Sequence, residues 1–435
     1  MSNEFNQLQL GEIFEISKGG ICPFLYPDEE FIHHSLPAFD QTGGPVTELG
    51  KQIESNKTLI TSSVVLLSKL NPRTCRVTTV DPLNSTRRHC CSTEFVAYRA
   101  KDDSVANEYY KYYFASDEFR NRLQNSAIGT TNSHVRIKPS ETLEWEVPRP
   151  TKPEQTKIAE ILSTVDRAIE QTEALIAKQQ RLKTGLMQDL LTRGIDEHGR
   201  IRSEETHEFK DSPLGRIPVE WEVTTFGRVF GKHGGHIQTG PFGSQLHSYE
   251  YVSEGIPVVM PQDILSGKIS TSKIARITES KANSMLRHRM RQGDIVFARR
   301  GDLSRCAVIQ EDETGWLCGT GCLLMRPPNR TLSPRWTAEI YQHQTTQLQV
   351  DISAVGSTMP NLNTGILMGL EIALPAFDEQ KRIEQRLSGA ESAERAMSSM
   401  LIKLRAVKTA LMQDLLNGRR RVIAILDGKE VGNES

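Results

Sequence analysis

The chain has 435 residues, of which 37% are hydrophobic and 25% charged, and its formal net charge is −1. No apolar run approaches the roughly 20 residues of a membrane span, and the N-terminal residues lack the basic and apolar regions of a signal peptide, so we expect a cytoplasmic protein with no membrane partner. A protein that binds nucleic acid unaided usually carries a basic surplus, so this charge argues against a free-standing DNA-binding protein.

The N-terminal region mixes short β-type runs with a helix-like stretch, which indicates a mixed α/β domain. VVLLS begins at Val64, and the helix-like NEYYKYYFASDEF begins at Asn107. A long amphipathic helix follows, because apolar residues recur at spacings of three and four from Ile158 to Leu190. Prolines before this helix and Gly194 after it are the expected start and stop signals.

A polar segment without periodicity, GIDEHGRIRSEETHEFKDSPLGRIP, follows this helix and indicates a linker. The pattern then repeats, with DIVFA at Asp294, the helix-like SPRWTAEIYQHQT at Ser333 and LEIALP at Leu370. In a second long helix, apolar residues from Ile383 to Leu411 keep a period of seven that favours coiled-coil pairing. The predicted boundaries are 1–150 for the first domain, 151–194 for the central helix, 195–216 for the linker, 217–375 for the second domain, 376–420 for the C-terminal helix and 421–435 for a tail.

The two long helices share their ends. KTGLMQDLL begins at Lys183, and KTALMQDLL begins at Lys408. Their entrances also match, since Pro-x-x-x-Glu-Gln starts at Pro150 and again at Pro375. Upstream, LGEIFEISKGG resembles FGRVFGKHGG, and CSTEFVAYR resembles CGTGCLLMR. The chain therefore contains two copies of one unit, a domain followed by a long helix.

The repeat and four motifs, in their order, resemble the specificity (S) subunits of type I restriction-modification enzymes. The motifs are DSPLGRIPVEWEV from Asp211, TGPFGSQL from Thr239, GDIVFARRGDLSRCAV from Gly293 and GSTMPNLN from Gly356, joined by the Pro-x-x-x-Glu-Gln entrance to each helix. The resemblance covers nearly the whole chain. The first half departs from it, because DSPLGRIPVEW has no counterpart there and SKLNPRTC replaces ARRGDLSRC.

The resemblance implies an α+β fold with two mixed α/β target recognition domains in a pseudo-twofold arrangement, separated by two long antiparallel coiled-coil helices. It also implies a non-catalytic subunit without cofactors or metals, which recognises an asymmetric bipartite site in double-stranded DNA, one half per domain. Such a subunit scaffolds two methyltransferase (M) subunits and directs adenine methylation or restriction. Two motor-nuclease (R) subunits complete the full complex. Because the M subunits would supply most of the phosphate-neutralising charge, we expect weak, salt-sensitive DNA binding by the isolated chain.

Sequence readout requires side chains that pair with base edges, chiefly Arg and Lys with guanine and Asn and Gln with adenine. Loops of both halves carry such groups, although many exposed loop side chains are only solvated or contact phosphate. The candidate DNA-binding residues of the first half are Lys18, Gln41, Thr42, Lys69, Asn71, Arg73, Arg87, Arg88, Thr131, Asn132, His134 and Arg136. Those of the second half are Gln238, Ser244, Gln245, His247, Gln262, Arg299, Arg300, Arg305, Ser357, Thr358, Asn361 and Asn363.

The apolar seams of the long helices are expected to pair with each other or to dock the methyltransferase. The seam residues are Ile158, Leu162, Val165, Leu186, Leu190, Ile383, Leu387, Leu404, Leu411 and Leu415. An alternative function is a coiled-coil adaptor without a nucleic-acid role. It explains the helices, but not two similar loop-rich domains that carry base-reading side chains.

An enzyme is a second alternative, and the sequence gives it little support. GGPVTELGKQ at Gly43 resembles a phosphate loop, but its glycine spacing is one residue off and Gln52 stands where a magnesium-binding Ser or Thr is required. NPRT at Asn71 lacks the aromatic residue that amino-methyltransferases stack on a flipped base. We therefore expect no catalytic residues.

A zinc site is a third alternative. Cys318 and Cys322 are four residues apart, with Cys306 nearby, which is compatible with zinc spacing. The first half has Phe95 at the position that corresponds to Cys322, whereas a structural zinc would be expected in both copies. Buried, reduced thiols are the favoured interpretation, in keeping with an odd total of seven cysteines.

Overall fold

The chain folds into two compact units in a computed structural model that describes residues 5–83, 85–127, 135–243, 245–354 and 360–422. The first unit combines Met1–Leu175 with Met397–Ser435, and the second unit is Ile176–Ala396. The long helices α6 (Lys152–Thr192) and α12 (Phe377–Leu415) each contribute one part to each unit. No helix in the described ranges is both long and apolar enough to cross a membrane.

The first domain, which is the part of the first unit before α6, is built on two main sheets. Its strands are β1 (Gln7–Gln9), β2 (Phe14–Ile16), β3 (Gly20–Ile21), β4 (Glu30–His34), β5 (Val46–Leu49), β6 (Lys57–Ile60), β7 (Val64–Ser68), β8 (Val77–Val80), β9 (Arg88–Ser92), β10 (Phe95–Ala100) and β11 (Glu146–Pro148). Its helices are α1 (Leu10–Ile13), α2 (Leu36–Thr42), α3 (Asn107–Phe114), α4 (Asp117–Ser126) and α5 (Pro139–Thr142). An antiparallel sheet has the order β2-β10-β7-β8, and a second sheet, β3-β6-β9-β4-β5, contains the parallel pair β4 and β9.

The second domain, which lies between α6 and α12, repeats this design. Its strands are β12 (Phe209–Ser212), β13 (Gly215–Pro218), β14 (Glu222–Thr225), β15 (His236–Thr239), β16 (Tyr251–Val252), β17 (Ile256–Val259), β18 (Ile264–Leu265), β19 (Lys268–Ile269), β20 (Ala275–Ile277), β21 (Ile295–Ala298), β22 (Cys306–Val308), β23 (Leu317–Cys318), β24 (Cys322–Arg326) and β25 (Glu371–Leu374). Its helices are α7 (Phe226–His233), α8 (Glu279–Ser284), α9 (Pro334–Gln342), α10 (Gln344–Ala354) and α11 (Thr364–Gly369). The antiparallel sheet β15-β24-β21-β22 matches β2-β10-β7-β8 strand for strand, and β17 pairs in parallel with β23. The two halves therefore share one fold, as the repeated motifs predict.

The helix-like stretches predicted at Asn107 and Ser333 are each two helices rather than one. In the first domain the break lies at Ser116, whose hydroxyl accepts a hydrogen bond from the Phe119 amide and so caps α4. A capped start of this kind ends the preceding helix locally, because the serine holds an extended conformation. The Tyr-rich α3 packs against β7, where its rings join Phe14 in the core of the first unit.

The long helices pair antiparallel within each unit. In the first unit Lys408 Nζ lies 2.6 Å from Asp166, near the start of α6 and the end of α12. In the second unit Lys183 Nζ lies 3.5 Å from both Glu391 and Glu394, near the end of α6 and the start of α12. Residue numbers rise along one helix as they fall along the other, so the predicted antiparallel pairing is confirmed.

The repeated glutamine of the Pro-x-x-x-Glu-Gln entrance fastens each long helix to its domain. Gln155 Oε1 accepts from the Ala106 amide (2.8 Å), and its Nε2 donates to the Pro150 carbonyl (2.9 Å). Gln380 Oε1 accepts from the Ser333 amide (2.8 Å), and its Nε2 donates to the Pro375 carbonyl (3.0 Å). Both glutamines are buried, so each must satisfy its amide within the protein.

The repeated glutamate forms a buried clamp with an arginine that follows the other long helix. In the second unit Glu379 accepts a two-pronged hydrogen bond from Arg202 and further bonds from the Ile195 amide (3.0 Å) and Trp221 Nε1 (3.2 Å). In the first unit the corresponding glutamate, Glu154, accepts from Arg421 Nε (2.9 Å). Each unit thus ties the start of one helix to the chain that leaves the other.

A glycine is required where α6 ends beside this clamp. Gly194 has φ +67°, and a Cβ there would collide with Glu379 Oε1, Trp221 and Arg202. Glycine adopts this left-handed conformation at no steric cost and leaves space for the buried carboxylate.

Replacing Glu379 with glutamine is expected to lower the free energy of unfolding by about 3–5 kcal/mol, because it leaves the Arg202 charge buried without a counter-charge. Asp378→Asn, at the exposed neighbouring position, is the control and should cost less than about 1 kcal/mol. Urea unfolding of both variants checks this, and equal midpoints for the two would contradict the role of the clamp.

Histidines make the first domain sensitive to acid. His34 Nε2 and His89 Nδ1 lie 3.3 Å apart on the parallel strands β4 and β9, with their rings stacked. Burial, and then the positive charges that His89 and His33 would carry, lowers the pKa of His34 from 6.5 to about 4. In the unfolded chain His34 binds a proton below about pH 6.5, whereas in the folded chain it does so only below about pH 4. The free energy of unfolding therefore decreases as the pH is lowered from about 6.5 to about 4.

Between pH 7 and pH 5, the free energy of opening strands β4 and β9 is expected to fall by about 2 kcal/mol through His34. Amide hydrogen exchange of these strands, corrected for the intrinsic effect of pH, measures this difference. His34→Phe, which preserves a stacking ring, should remove most of it. The exposed His198→Gln should leave it unchanged. If His34→Phe retained the full pH dependence, another group would be responsible.

Candidate nucleic-acid interface

In the first domain, two candidate segments that are far apart in sequence meet at the end of β7. The Asn71 amide donates to the Val135 carbonyl (2.9 Å), and the Ile137 amide donates to the Lys69 carbonyl (3.1 Å). These bonds place the candidate residues Lys69, Asn71 and Arg136 side by side. Asn71 takes a left-handed conformation with φ 50°, which turns the chain away from the sheet after β7.

The second domain forms the same contact at the end of β21. The Leu362 amide donates to the Arg299 carbonyl (3.0 Å), and Arg300 and Asn361 are bridge partners. Arg299 Nε also donates to Asn361 Oδ1 (3.0 Å). We call this meeting point of two segments, formed by residues 69–71 with 135–137 and by residues 299–300 with 361–362, the strand-end junction of each domain.

Acidic partners hold several of the candidate arginines. Arg87 Nε donates to Glu30 (2.6 Å), and Arg88 makes a two-pronged bond to Glu29 while its guanidinium lies 4.1 Å from the centre of the Tyr26 ring. These pairs neutralise the charges of two arginines beside the five-stranded sheet. The hydrogen bonds of Arg88 hold the pKa of Glu29 below its usual range.

Acidic partners also hold an arginine at the strand-end junction of the first domain and another beside that of the second domain. Arg136 makes a two-pronged bond to Glu94 in the first domain. In the second domain Arg305 Nε donates to Asp302 (3.2 Å), and hydrogen bonds from Ser304, followed by Arg305, lower the pKa of the Asp302 carboxyl. The junctions therefore present arginines whose directions are set by neighbouring side chains.

Other candidates make contacts that support their own loops. Gln238 Nε2 donates to the Arg287 carbonyl, and Gln245 Oε1 accepts from the Phe242 amide (3.1 Å). Asn363 Oδ1 caps α11 by accepting from the Ile366 amide (2.9 Å), and Thr42 donates to the Ala38 carbonyl near the end of α2. The His247 ring stacks on Tyr249, which is 80% exposed. Four further candidates have exposed side chains: Lys18, Gln41, Arg73 and Gln262.

Six candidates lie outside the described residues: Thr131, Asn132, His134, Ser244, Ser357 and Thr358.

Eight of the ten predicted seam residues lie where the helices meet their domains. In the first unit Ile158, Leu162 and Leu415 are buried in one core, and Leu411 packs against it. In the second unit the same is true of Leu190, Ile383 and Leu387, with Leu186 packed against the core. Val165 and Leu404 are partly exposed.

The cysteines considered for zinc lie inside the second domain. Cys306 Sγ donates to the Ala338 carbonyl (3.7 Å), and Cys322 Sγ donates to the Val259 carbonyl (3.4 Å). Burial raises the pKa of Cys306 and of Cys318 to about 12, so these groups stay protonated thiols at neutral pH. Within the described part of the chain, no group of three or more His, Cys, Asp or Glu side chains is arranged to hold a metal ion.

The acidic partners of the arginines were not anticipated from the sequence. Glu29, Glu30 and Glu94 lie 59, 57 and 42 residues from the arginines they hold, so no local spacing indicates the pairs. The parallel pairing of β4 with β9 brings Glu29 and Glu30 to Arg87 and Arg88. Backbone hydrogen bonds of Lys69 to Glu94 and to Ile137 bring Glu94 to Arg136.

Comparisons with known proteins agree on one family. A family model for the type I restriction modification DNA specificity domain matches residues 3–179 and 218–395. The specificity subunit of the type I restriction enzyme MjaVIII from Methanocaldococcus jannaschii is 25% identical over 306 residues, which are 69% of this chain and 67% of that protein. The EcoBI specificity subunit from Escherichia coli is 22% identical over 309 residues, which are 67% of this chain and 63% of that protein. The chain thus spans about two thirds of the curated relatives that it matches.

Solved structures show the same fold. A chain from a study of complex assembly and conformational transition in the type I R-M system aligns with a TM-score of 0.59 at 19% identity, over 96% of this chain and 98% of that one. The S subunit from M. genitalium aligns with a TM-score of 0.56 at 16% identity, over 96% and 97% of the two chains. The HsdS subunit from Thermoanaerobacter tengcongensis aligns with a TM-score of 0.52 at 19% identity, over 96% and 97%.

The family model matches most of the chain in two copies, and each copy covers most of one repeated domain and the first part of the helix that follows it. The chain therefore belongs to the family of type I restriction-modification specificity subunits.

Proposed function

We propose that this chain is a non-catalytic subunit that selects the DNA site of a type I restriction-modification enzyme, with each domain reading one half of an asymmetric bipartite site. The observation that carries the proposal is the strand-end junction, which is built from equivalent segments in both domains but from different side chains. The first domain presents Lys69, Asn71 and Arg136, and the second presents Arg299, Arg300 and Asn361. Arginine, lysine and asparagine are residues that read base edges in the major groove.

The electrostatics support a subunit that specifies a site without supplying most of the affinity. Glutamates hold Arg87, Arg88 and Arg136, and the whole chain carries a net charge of −1. Phosphate contacts supply much of the affinity of a DNA-binding protein and carry little sequence information. We propose that two methyltransferase subunits provide those contacts and the adenine methylation, and that two motor-nuclease subunits complete the restriction enzyme.

Apolar side chains on the exposed faces of the long helices support a scaffolding role. Leu175, Met400 and Ile402 in the first unit are 53%, 53% and 69% exposed, and Leu182 in the second unit is 57% exposed. Exposing such side chains on a helix that already has a packed face favours a partner that covers them. We propose that the methyltransferase subunits are that partner.

Expression of this chain with its methyltransferase is expected to methylate adenines in a two-part, asymmetric motif, which sequencing of methylated bases in the host genome detects. Replacing residues 217–375 with the corresponding domain of another family member should change one half of the motif and preserve the other. The unaltered chain expressed with the same methyltransferase is the control. A change in both halves, or methylation without a two-part motif, would contradict one reader per domain.

Ile402→Gln is expected to weaken association with the methyltransferase roughly 5- to 30-fold. Burial of the exposed Ile402 side chain in the complex would contribute to the affinity, and glutamine would lose that contribution. Lys403→Gln, which introduces the same residue at the adjacent exposed position, is the matched control and should change the affinity less than about threefold. Titration calorimetry measures both. Equal affinities for Ile402→Gln and the unaltered chain would place the docking surface elsewhere.

A further inference from the structure

Arg136 and Glu94 form an ion pair of defined geometry at the strand-end junction of the first domain. Arg136 Nε donates to Glu94 Oε2, and Arg136 Nη2 donates to Glu94 Oε1, both at 3.1 Å. The arginine side chain is 48% exposed, and that of the glutamate is 25% exposed. The carboxylate is thus partly covered, while the guanidinium is accessible from solvent.

The backbone fixes both partners of this pair to the same strand end. The Lys69 amide donates to the Glu94 carbonyl (2.9 Å), and the Ile137 amide donates to the Lys69 carbonyl (3.1 Å). The Glu94 amide donates to Ser92 Oγ (3.2 Å). Ile137, next to Arg136, is 3% exposed and belongs to the core of the first unit. The two side chains therefore start from backbone segments that are both hydrogen-bonded to Lys69, unlike a typical surface pair of two mobile side chains.

The geometry of the bond decides which edge of the guanidinium stays available. A guanidinium is planar and carries five N–H groups, and the carboxylate occupies the edge formed by Nε and Nη2. Three N–H groups remain, two on Nη1 and one on Nη2, and one hydrogen from each of these nitrogens forms a second edge. Two parallel donors on one edge match the O6 and N7 acceptors that guanine presents in the major groove.

We propose that Arg136 reads one guanine in the half-site bound by the first domain, and that Glu94 is a positioning residue that aims this edge at the base. The inference rests on the proposed function, because it names a specificity-determining contact of the same interface. This role explains why an acidic residue, which by itself would repel DNA, is present at the strand-end junction.

Another two-pronged arginine of the first domain lacks this property. Arg76 binds Asp40 through Nε (2.6 Å) and Nη2 (2.8 Å), but its side chain is only 13% exposed and its Nη1 is buried. Its free edge cannot reach a base, so the pair stabilises the domain. Arg76 and Arg136 thus make the same kind of ion pair, but only Arg136 has a side chain that is largely accessible to solvent.

The second domain places different chemistry at the same position. Asn361 stands in the register position of Arg136, and its Oδ1 accepts from Arg299 Nε. The partner of the arginine is here an amide, and the arginine comes from the other segment of the junction. A different arrangement of donors at equivalent positions is what two unlike half-sites require.

The test uses the full chain co-expressed with its methyltransferase, with Arg136→Lys and Glu94→Gln as variants. Arg136→Lys preserves the charge but loses the two-donor edge, so methylation should become tolerant at one G·C position of one half-site. Glu94→Gln should relax the same position to a smaller degree. The double variant should be no more tolerant than Arg136→Lys, because Glu94 acts through Arg136.

Binding of the purified complexes to duplexes that differ only in that base pair gives the magnitude. The unaltered complex should prefer G·C roughly 5- to 150-fold, and Arg136→Lys should reduce this preference to less than about threefold. Arg99→Lys is the matched control, since Arg99 pairs with Glu15 across strands β10 and β2 at similar exposure and should leave every position of the motif unchanged.

Each outcome decides a separate question. If the unaltered complex methylates a two-part motif and Arg136→Lys preserves all of it, Arg136 does not read a base. If Arg136→Lys relaxes the motif and Glu94→Gln does not, the positioning role of Glu94 is wrong. If the unaltered complex yields no two-part motif, the proposed function fails independently of these variants.

Discussion

The structure depends on the charge clamp that joins the start of each long helix to the chain leaving the other. A carboxylate removed from water requires compensation, and Glu379 receives it from Arg202, the Ile195 amide and the Trp221 indole together. Antiparallel helices could slide along an apolar seam, since leucines at neighbouring turns are nearly interchangeable. A buried charge pair cannot slide without losing its partner, so the clamp fixes the register of the two helices in each unit.

This fixed register explains which parts of the repeat stay alike. Glu154 and Glu379 each pair with an arginine that follows the other long helix, and the glutamines after them make matching contacts, so the physical requirement on these positions is alike in both copies. The strand-end junctions share backbone hydrogen bonds but differ in side chains. Backbone bonds specify the position of a loop without specifying its residues, which leaves the side chains free to differ between two half-sites.

The architecture could be predicted from the sequence because it rests on periodic and repeated patterns. Apolar spacing in the long helices and the duplicated KTxLMQDLL ending indicate two repeated units with long helices that can pair. The family resemblance implies that the helices pair antiparallel, and the structure confirms that direction. Ser116 shows the limit of such patterns, since one capping hydroxyl divides a continuous helical pattern into two helices. The individual DNA-binding residues remain predictions.

The candidate interface was less predictable because it depends on long-range pairs. The segments around Asn71 and Arg136 were candidates separately, but their contact follows from sheet topology that the sequence does not state. Glu94 is not among the predicted site residues, since an acidic residue gives no signal of DNA binding in isolation. The proposed role of Glu94 depends on Arg136, which the fold brings into hydrogen-bonding contact with it.

The composition of the first unit has a consequence for the order in which the protein is made. Its core includes Leu415, Leu416 and Val422 beside Ile158, so the first domain lacks part of its core until residues 415–422 have been synthesised. The second unit is one continuous segment, and its residues emerge without interruption. During translation the second unit can therefore fold while the first domain still exposes apolar surface. That surface is accessible to chaperones and to premature association until the end of α12 is available.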